Sequence, residues 1–241
     1  MKDGKYVIGE MQPSTGGRGV NSKKNKESML PDNVTITSVA LGIRDLVESQ
    51  VSAALSRIED SARELSAKSV DVITMGGLPP VVFGGYGFDK KIIDRIGKIT
   101  AIPATTGHTS AAEAMRMFEA KKIILVTPYK DHINRMVVKF MEDSGFEIGS
   151  LQTANAAFED YPKLSGSLSY ELSLKGKAQS PDAQCIFIAC GAWTVSENIE
   201  RVEMETGLPV VASTQAGIWG ALRLIGIKSG VSGYGSLLRD F

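Results

Sequence analysis

The chain has 241 residues, 43% of them hydrophobic and 22% charged, the make-up of an ordinary folded protein and not of a disordered, collagenous or coiled-coil one. Folding at this length buries roughly 70–75% of the unfolded surface, enough for one large domain or two small ones sharing an interface. Lysine plus arginine equals aspartate plus glutamate at 27 each, so no net field draws in nucleic acid or an anionic membrane.

Short β-branched runs alternate with longer helical patterns along the chain. Tyr6-Val7-Ile8, Val34 to Thr37, Val70 to Ile73 and Ile99 to Ile102 read as strands, and Lys122 to Val126, Phe146 to Ile148, Cys185 to Ile188 and Leu208 to Val211 form a second set. Between the second and third runs, Val51, Leu55, Ile58, Ala62 and Leu65 recur at three- and four-residue spacing and predict one amphipathic helix. Similar stripes cover roughly 109–119, 131–143, 168–176, 195–205 and 215–225. The basic run Ser22 to Lys26, followed by Glu27, reads as a solvated loop, and Asn21 through Ser28 as too polar for the helix that a dinucleotide-binding motif needs. Strand–helix alternation predicts parallel sheets covered on both faces. No apolar run approaches the ~18–20 residues of a membrane span, and Met1 to Lys5 leads into a short apolar run with no signal-peptide core, so a cytoplasmic location is expected.

An internal echo divides the eight strands into two sets of four. Val72 to Gly77, Ile102 to Thr106 and a helix through Arg116 are repeated as Phe187 to Gly191, Leu208 to Thr214 and a helix through Arg223. The echo predicts two α/β halves, 1–110 plus 216–241 and 111–215, with Gly76 opposite Cys190 across a pseudo-twofold axis. Ligands of open α/β sheets bind at strand C-terminal ends, where loops and helix N-termini present N–H groups. The polar, glycine-rich tails Gln12 to Gly17, Gly76 to Pro80, Thr105 to His108, Thr127 to Tyr129, Cys190 to Ala192 and Ser213 to Gln215 collect there. Two facing half-sites would enclose a small anionic molecule.

Cys190 follows an apolar strand and precedes a helix start near Val195, where dipole and unpaired N–H groups favour negative charge, making it a candidate proton donor or nucleophile. A small buried hydrophobe is the plainer role for such a cysteine. Cys185 lies five residues earlier; on one strand the two would be ~16 Å apart and on opposite faces, beyond any disulfide, and Cys185 reads as structural. Tyr129 is placed either to donate its hydroxyl to an oxyanion or to pack over its loop. Gly76 and Gly77 allow close backbone approach to a carboxylate or form a plain turn before Pro79 and Pro80. His108 and His132 have no partners at ligand spacing, so no metal site is expected; His108 lies near the loop mouths and His132 reads as a surface residue. There is no Gly-x-x-x-x-Gly-Lys loop or Gly-x-Ser-x-Gly elbow, and Gly16 to Gly19 lacks the order of a dinucleotide fingerprint.

Ser38 to Gly42, Ile73 to Gly77, Val126 to Asn134, Ile188 to Gly191, Gly207 to Thr214 and Gly233-Tyr234-Gly235 together resemble the arylmalonate decarboxylase and maleate isomerase branch of the aspartate/glutamate racemase superfamily. The resemblance implies two flavodoxin-like domains, each a four-stranded parallel sheet flanked by helices, with a cofactor-free site between them for a small carboxylate. Racemases and isomerases of this kind carry one cysteine on each half; Gly76 stands at the first position here and Cys190 matches the second, which favours the decarboxylase branch. Carried over, Cys190 is the proton donor, Gly76, Gly77, Leu78, Tyr129 and Gly191 surround the carboxylate, and Pro13 borders the site. The sequence departs from the decarboxylase pattern after the glycine, where Gly77-Leu78-Pro79-Pro80 offers no hydroxyl. The leading expectation is a cofactor-independent decarboxylase of a small substituted malonate. An isomerase or racemase, with His108 or a water as second group, and a non-catalytic metabolite-binding protein are the alternatives. No oligomeric state is indicated.

Overall fold

The computed structural model describes residues 4–14, 19–228 and 230–241. In chain order the first half contains β1 (Tyr6–Ser14), α1 (Gly19–Glu27), β2 (Val34–Ile43), α2 (Glu48–Leu55), α3 (Ile58–Ala67), β3 (Val72–Met75), α4 (Leu78–Phe83), α5 (Phe88–Thr100), β4 (Ala104–Thr106) and α6 (Gly107–Met117). The second contains β5 (Lys122–Thr127), α7 (Asp131–Asp143), β6 (Glu147–Thr153), α8 (Gly166–Gln179), β7 (Cys185–Ile188), α9 (Ile199–Thr206), β8 (Val210–Ala212), α10 (Ser213–Leu224) and α11 (Ser236–Asp240). The strands form two parallel four-stranded sheets, ordered β2-β1-β3-β4 and β6-β5-β7-β8. The expected pair of α/β sheets is therefore present, with the same strand order in each.

That order determines where a ligand can sit. From β1 the chain crosses to β2 on one side and then back to β3 on the other, so the helices flanking β1 and β3 lie on opposite faces and leave a crevice at the strands' C-terminal ends. β5 and β7 repeat the arrangement in the second sheet. α10 joins the halves, leaving β8 and packing on α6, β3 and β4. The interior strands β3 and β7 are buried on both faces, Val72 to Met75 and Cys185 to Ile188 throughout, as expected for parallel sheets with helices above and below.

Four expectations are corrected. Ile99 to Ile102 is not a strand; Ile92 and Ile96 bury one face of α5, which runs to Thr100 and ends at Ala101 in the left-handed region, and β4 begins only at Ala104. The helical period of those isoleucines outweighs the β-branched character of the run. The single helix expected over 51–65 is two, α2 and α3, separated by Ser56 and Arg57. The segment expected to be a solvated loop is α1. Its lysines and glutamate are good helix formers, and it lies against β2 and α10, held by contacts described below. Pro79 and Pro80 do not follow a plain turn; they occupy the first turn of α4, where a missing N–H leaves no hydrogen bond broken.

Candidate active site

The two sets of strand ends face one cleft. Gln12 and Pro13 come from β1, Gly76 and Gly77 follow β3, Gly107 opens α6, Tyr129 follows β5, Cys190 and Gly191 follow β7, and Ser213 and Thr214 open α10. Counted out to its open mouth and with the solvent space included, the cleft encloses about 900 Å³. A Cβ on Gly107 would lie 4.0 Å from both Gly76 Cα and Ser213 O, so the ends of β3 and β8 meet at the cleft floor.

Cys190 is 6% exposed and lies two residues beyond the end of β7. The Ala189 N–H continues the ladder to Val126 O at 2.8 Å, and the Cys190 N–H turns back to Ile188 O at 3.3 Å. The chain thereby leaves the sheet at the cysteine. On the other sheet the Gly76 N–H donates to Met11 O at 3.0 Å. Counted along the ladders, Met75 matches Ile188, so Gly76 corresponds to Ala189 and Gly77 to Cys190. This is one residue from the sequence echo, a shift absorbed by the Cys190 turn. Gly77 has φ +88°, and a Cβ there would lie 2.3 Å from Pro13 Cγ, so Pro13 and Gly77 form a close-packed cleft edge that requires glycine.

Pro13, Gly76, Gly77, Tyr129, Cys190 and Gly191 all line the cleft. Leu78 does not: its side chain is buried in the core at the start of α4. The hydroxyls missing after Gly76 are provided elsewhere, by Thr74 on β3 and by Ser213 and Thr214 in the first turn of α10. Thr214 Oγ1 donates to Gly191 O at 3.3 Å and Ser213 Oγ to Ile188 O at 3.4 Å, so this turn bridges to the Cys190 loop. Residues 15–17 of the β1 tail, and the Gly16 to Arg18 part of the rejected fingerprint, lie outside the described residues.

Tyr129 is held from beneath. Asn134 Nδ2 donates to Tyr129 O at 2.8 Å while its Oδ1 accepts from Thr127 Oγ1 at 2.6 Å, and Thr153 Oγ1 donates to the same carbonyl at 2.7 Å. The Tyr129 ring stacks edgewise on Tyr161, which does the same with Phe158, giving one aromatic wall. Asn134 belongs to a motif noted in the sequence, yet nothing in its residue type announced this positioning role.

His108 is absent from the cleft lining. It is buried between α6 and α7, edge-on to Phe140 at 4.5 Å with Ser144 Oγ 3.4 Å from Nε2. Burial lowers its pKa to about 4, so it is neutral at physiological pH and is not the second group for Cys190. His132 is exposed on α7. Cys185 is fully buried, and burial pushes its thiol well above the ordinary range. Neither cysteine is in a disulfide. Among the described residues no three His, Cys, Asp or Glu side chains gather closely enough to hold a metal ion, and no helix is long and apolar enough to cross a membrane.

The opposite wall carries a feature the sequence reading missed. Glu10, in the middle of β1, pairs with Lys26 of α1: Lys26 Nζ lies 2.8 Å from Oε1 and 2.6 Å from Oε2, with both side chains nearly buried. Asn25, one residue earlier, bonds Ser196 of the second half. The basic run is thus only partly solvated: Lys23 and Lys24 are exposed, but Lys26 lines the cleft.

Residues 13–238 match the family model for arylmalonate decarboxylase. The chain belongs to the arylmalonate decarboxylase family. It is 26% identical over 214 residues to arylmalonate decarboxylase of Bordetella bronchiseptica, covering 88% of this chain and 89% of that one. It is 25% identical over 246 residues to maleate isomerase of Pseudomonas putida, covering 97% of each. Among solved structures, the liganded form of an arylmalonate decarboxylase mutant with a glycine changed to cysteine and a cysteine to serine superposes with TM-score 0.88 at 23% identity, over 97% of this chain and 98% of that one. These relatives fit the racemase-superfamily branch that the motifs resemble, and both named enzymes act in it.

Proposed function

We propose that the protein is a cofactor-independent decarboxylase of a small C2-substituted malonate. The observation that carries this reading is the asymmetry of the cleft: Cys190 is its one thiol among the described residues, and the facing strand end carries Gly76 and Gly77. One substrate carboxylate binds among the backbone N–H groups and hydroxyls of the strand ends, with Ser213 and Thr214 contributing from the first turn of α10. The other lies against the aromatic and proline wall, where solvation is withdrawn and CO₂ departs. The electron pair left at C2 is held as an enediolate, and the Cys190 thiol protonates C2 from one face.

The similar identity to a maleate isomerase over nearly the whole chain supports a second reading, isomerisation or racemisation of a small carboxylic acid with Cys190 as nucleophile or base. Reaction in D₂O separates the two: a decarboxylase releases CO₂ and labels only product, whereas a racemase exchanges the α-proton of recovered substrate. With a panel of methyl-, phenyl-, acetonyl- and isobutylmalonate, the expected result is CO₂ release that falls more than a hundredfold in Cys190→Ala. Turnover of Cys190→Ala within tenfold of the parent overturns the assignment of the proton donor. Saturable binding that survives Cys190→Ala with neither CO₂ release nor exchange would identify a binding protein.

A further inference from the structure

Glu10 sits in the middle of the apolar run Val7 to Met11 on a strand paired on both sides. Its carboxylate is fully engaged: beyond the two contacts from Lys26 it accepts from Gln12 Nε2 at 2.8 Å and Ser38 Oγ at 3.2 Å. A carboxylate so saturated with donors makes a poor base. Lys26 is the unsaturated partner. An ammonium has three N–H groups; the Lys26 hydrogen bonds among the described residues all go to Glu10, on a side chain that is 8% exposed and lines the cleft. Glu10 therefore clamps the ammonium at the cleft wall, and two contacts to Glu10 leave donor capacity over among the described residues. The pair also borders the reaction centre, since a Cβ on Gly76 would lie 3.5 Å from Glu10 Oε1, and no side chain at Gly76 screens it from the cleft. A buried ion pair is weak evidence for stability, because well-packed apolar residues often do as well, so its presence on a cleft wall calls for a role in recognition.

We infer that Lys26, clamped by Glu10, is a specificity determinant that hydrogen-bonds an oxygen acceptor on the substrate's C2 substituent. The preferred substrates are then malonates with a short oxygenated arm, not malonates with a purely hydrocarbon one. Charge compensation by Glu10 keeps the wall neutral overall, so a carbonyl or hydroxyl oxygen suffices as partner. This inference rests on the malonate reading for its substrate core but not on the reaction.

The test is equilibrium binding by calorimetry in the Cys190→Ala background, which prevents turnover. Acetonylmalonate and isobutylmalonate are near-isosteric and differ in a carbonyl. The background protein should bind acetonylmalonate at least tenfold more tightly, the range of one hydrogen bond to a charged group, and Lys26→Met should bring the two within threefold of each other. If Lys26→Met leaves Glu10 unpaired and the protein unfolded, Glu10→Gln/Lys26→Met removes the pair as a neutral unit and should equalise the two ligands. A preference absent from the background protein, a preference retained in the variants, or no binding of either malonate overturns the inference. Failure of the decarboxylase reading is seen separately: no CO₂ release by the wild type, with the Lys26-dependent preference intact, removes the reaction and leaves the subsite.

Discussion

Gly76 and Gly77 are adjacent, both border the cleft, and the structure predicts opposite responses to alanine. At Gly77 the backbone has φ +88° and ψ 109°, a conformation that L-residues adopt at a cost of about 1–3 kcal/mol. The added Cβ would also lie 2.3 Å from Pro13 Cγ and 3.4 Å from Pro13 Cβ and Pro80 Cδ. Both neighbours are proline rings, with no flexible end to swing away, so overpacking adds about 1–3 kcal/mol. Together these predict a loss of roughly 2–6 kcal/mol, or about 4–24 °C of melting temperature for a chain of this size. At Gly76 the nearest atoms to a Cβ are Glu10 Oε1 at 3.5 Å, Met11 O at 3.7 Å and Pro13 Cδ at 3.8 Å, all ordinary contacts, and φ is not positive. Gly76→Ala should therefore stay within about 1 kcal/mol of wild type, the usual range away from strain and clashes. Urea unfolding and thermal melts of the two variants, in the same buffer and at one protein concentration, give the comparison. If Gly77→Ala melts within 2 °C of Gly76→Ala, the argument that Pro13 and the backbone together require glycine is refuted.

Asn134 supports the Tyr129 loop through two buried hydrogen bonds, so Asn134→Ala should destabilise by about 2–4 kcal/mol, from the lost bonds and the unpaired partners left behind; it should also raise KM more than Thr153→Val does, as read by steady-state kinetics. The pKa of His108 is about 4 in the fold and near 6.5 in the unfolded chain, so between those values the unfolded state holds more protons and stability rises with pH. The stability contributed by keeping His108 neutral is full above pH 6.5 and erodes as pH falls toward 4, by about 2 kcal/mol at pH 5; urea melts at pH 5 and pH 8 should show this, and His108→Leu should flatten the difference. Cys190 borders the cleft whereas Cys185 is fully buried with its pKa raised by desolvation, so a thiol reagent should modify one cysteine in the native protein and a second only in denaturant. Peptide mapping should place the first label on Cys190, and saturating malonate should slow it.

The parallel sheets were legible because their strands are buried on both faces, and runs such as Lys122 to Val126 and Cys185 to Ile188 leave little room for another element. The division into two sets of four strands followed from the internal echo, the flavodoxin-like form from the family resemblance, and the polar strand tails pointed to the ends at which Pro13, Gly76, Gly77, Tyr129, Cys190 and Gly191 gather. Local pattern failed where burial came from one face only. Ile92 and Ile96 suit a strand or a helix by type, and only their four-residue spacing on the face toward α3 and β4 decides for a helix. His108 failed as a site residue for a related reason: proximity along the chain to a strand end says nothing about which side of α6 faces the cleft, and its ring turns toward Phe140. Lys26 was hidden because a basic run looks solvated residue by residue. The signal lay 16 residues earlier, in Glu10, an acid inside an apolar strand that parallel pairing would bury on both sides. Such a carboxylate requires a cation or several donors, and α1 contains the first lysines that follow Glu10 in the chain. A charge placed where the fold has no water implies its partner even when the partner's own surroundings do not, and in this cleft that reasoning leads directly to the residue inferred to choose the substrate.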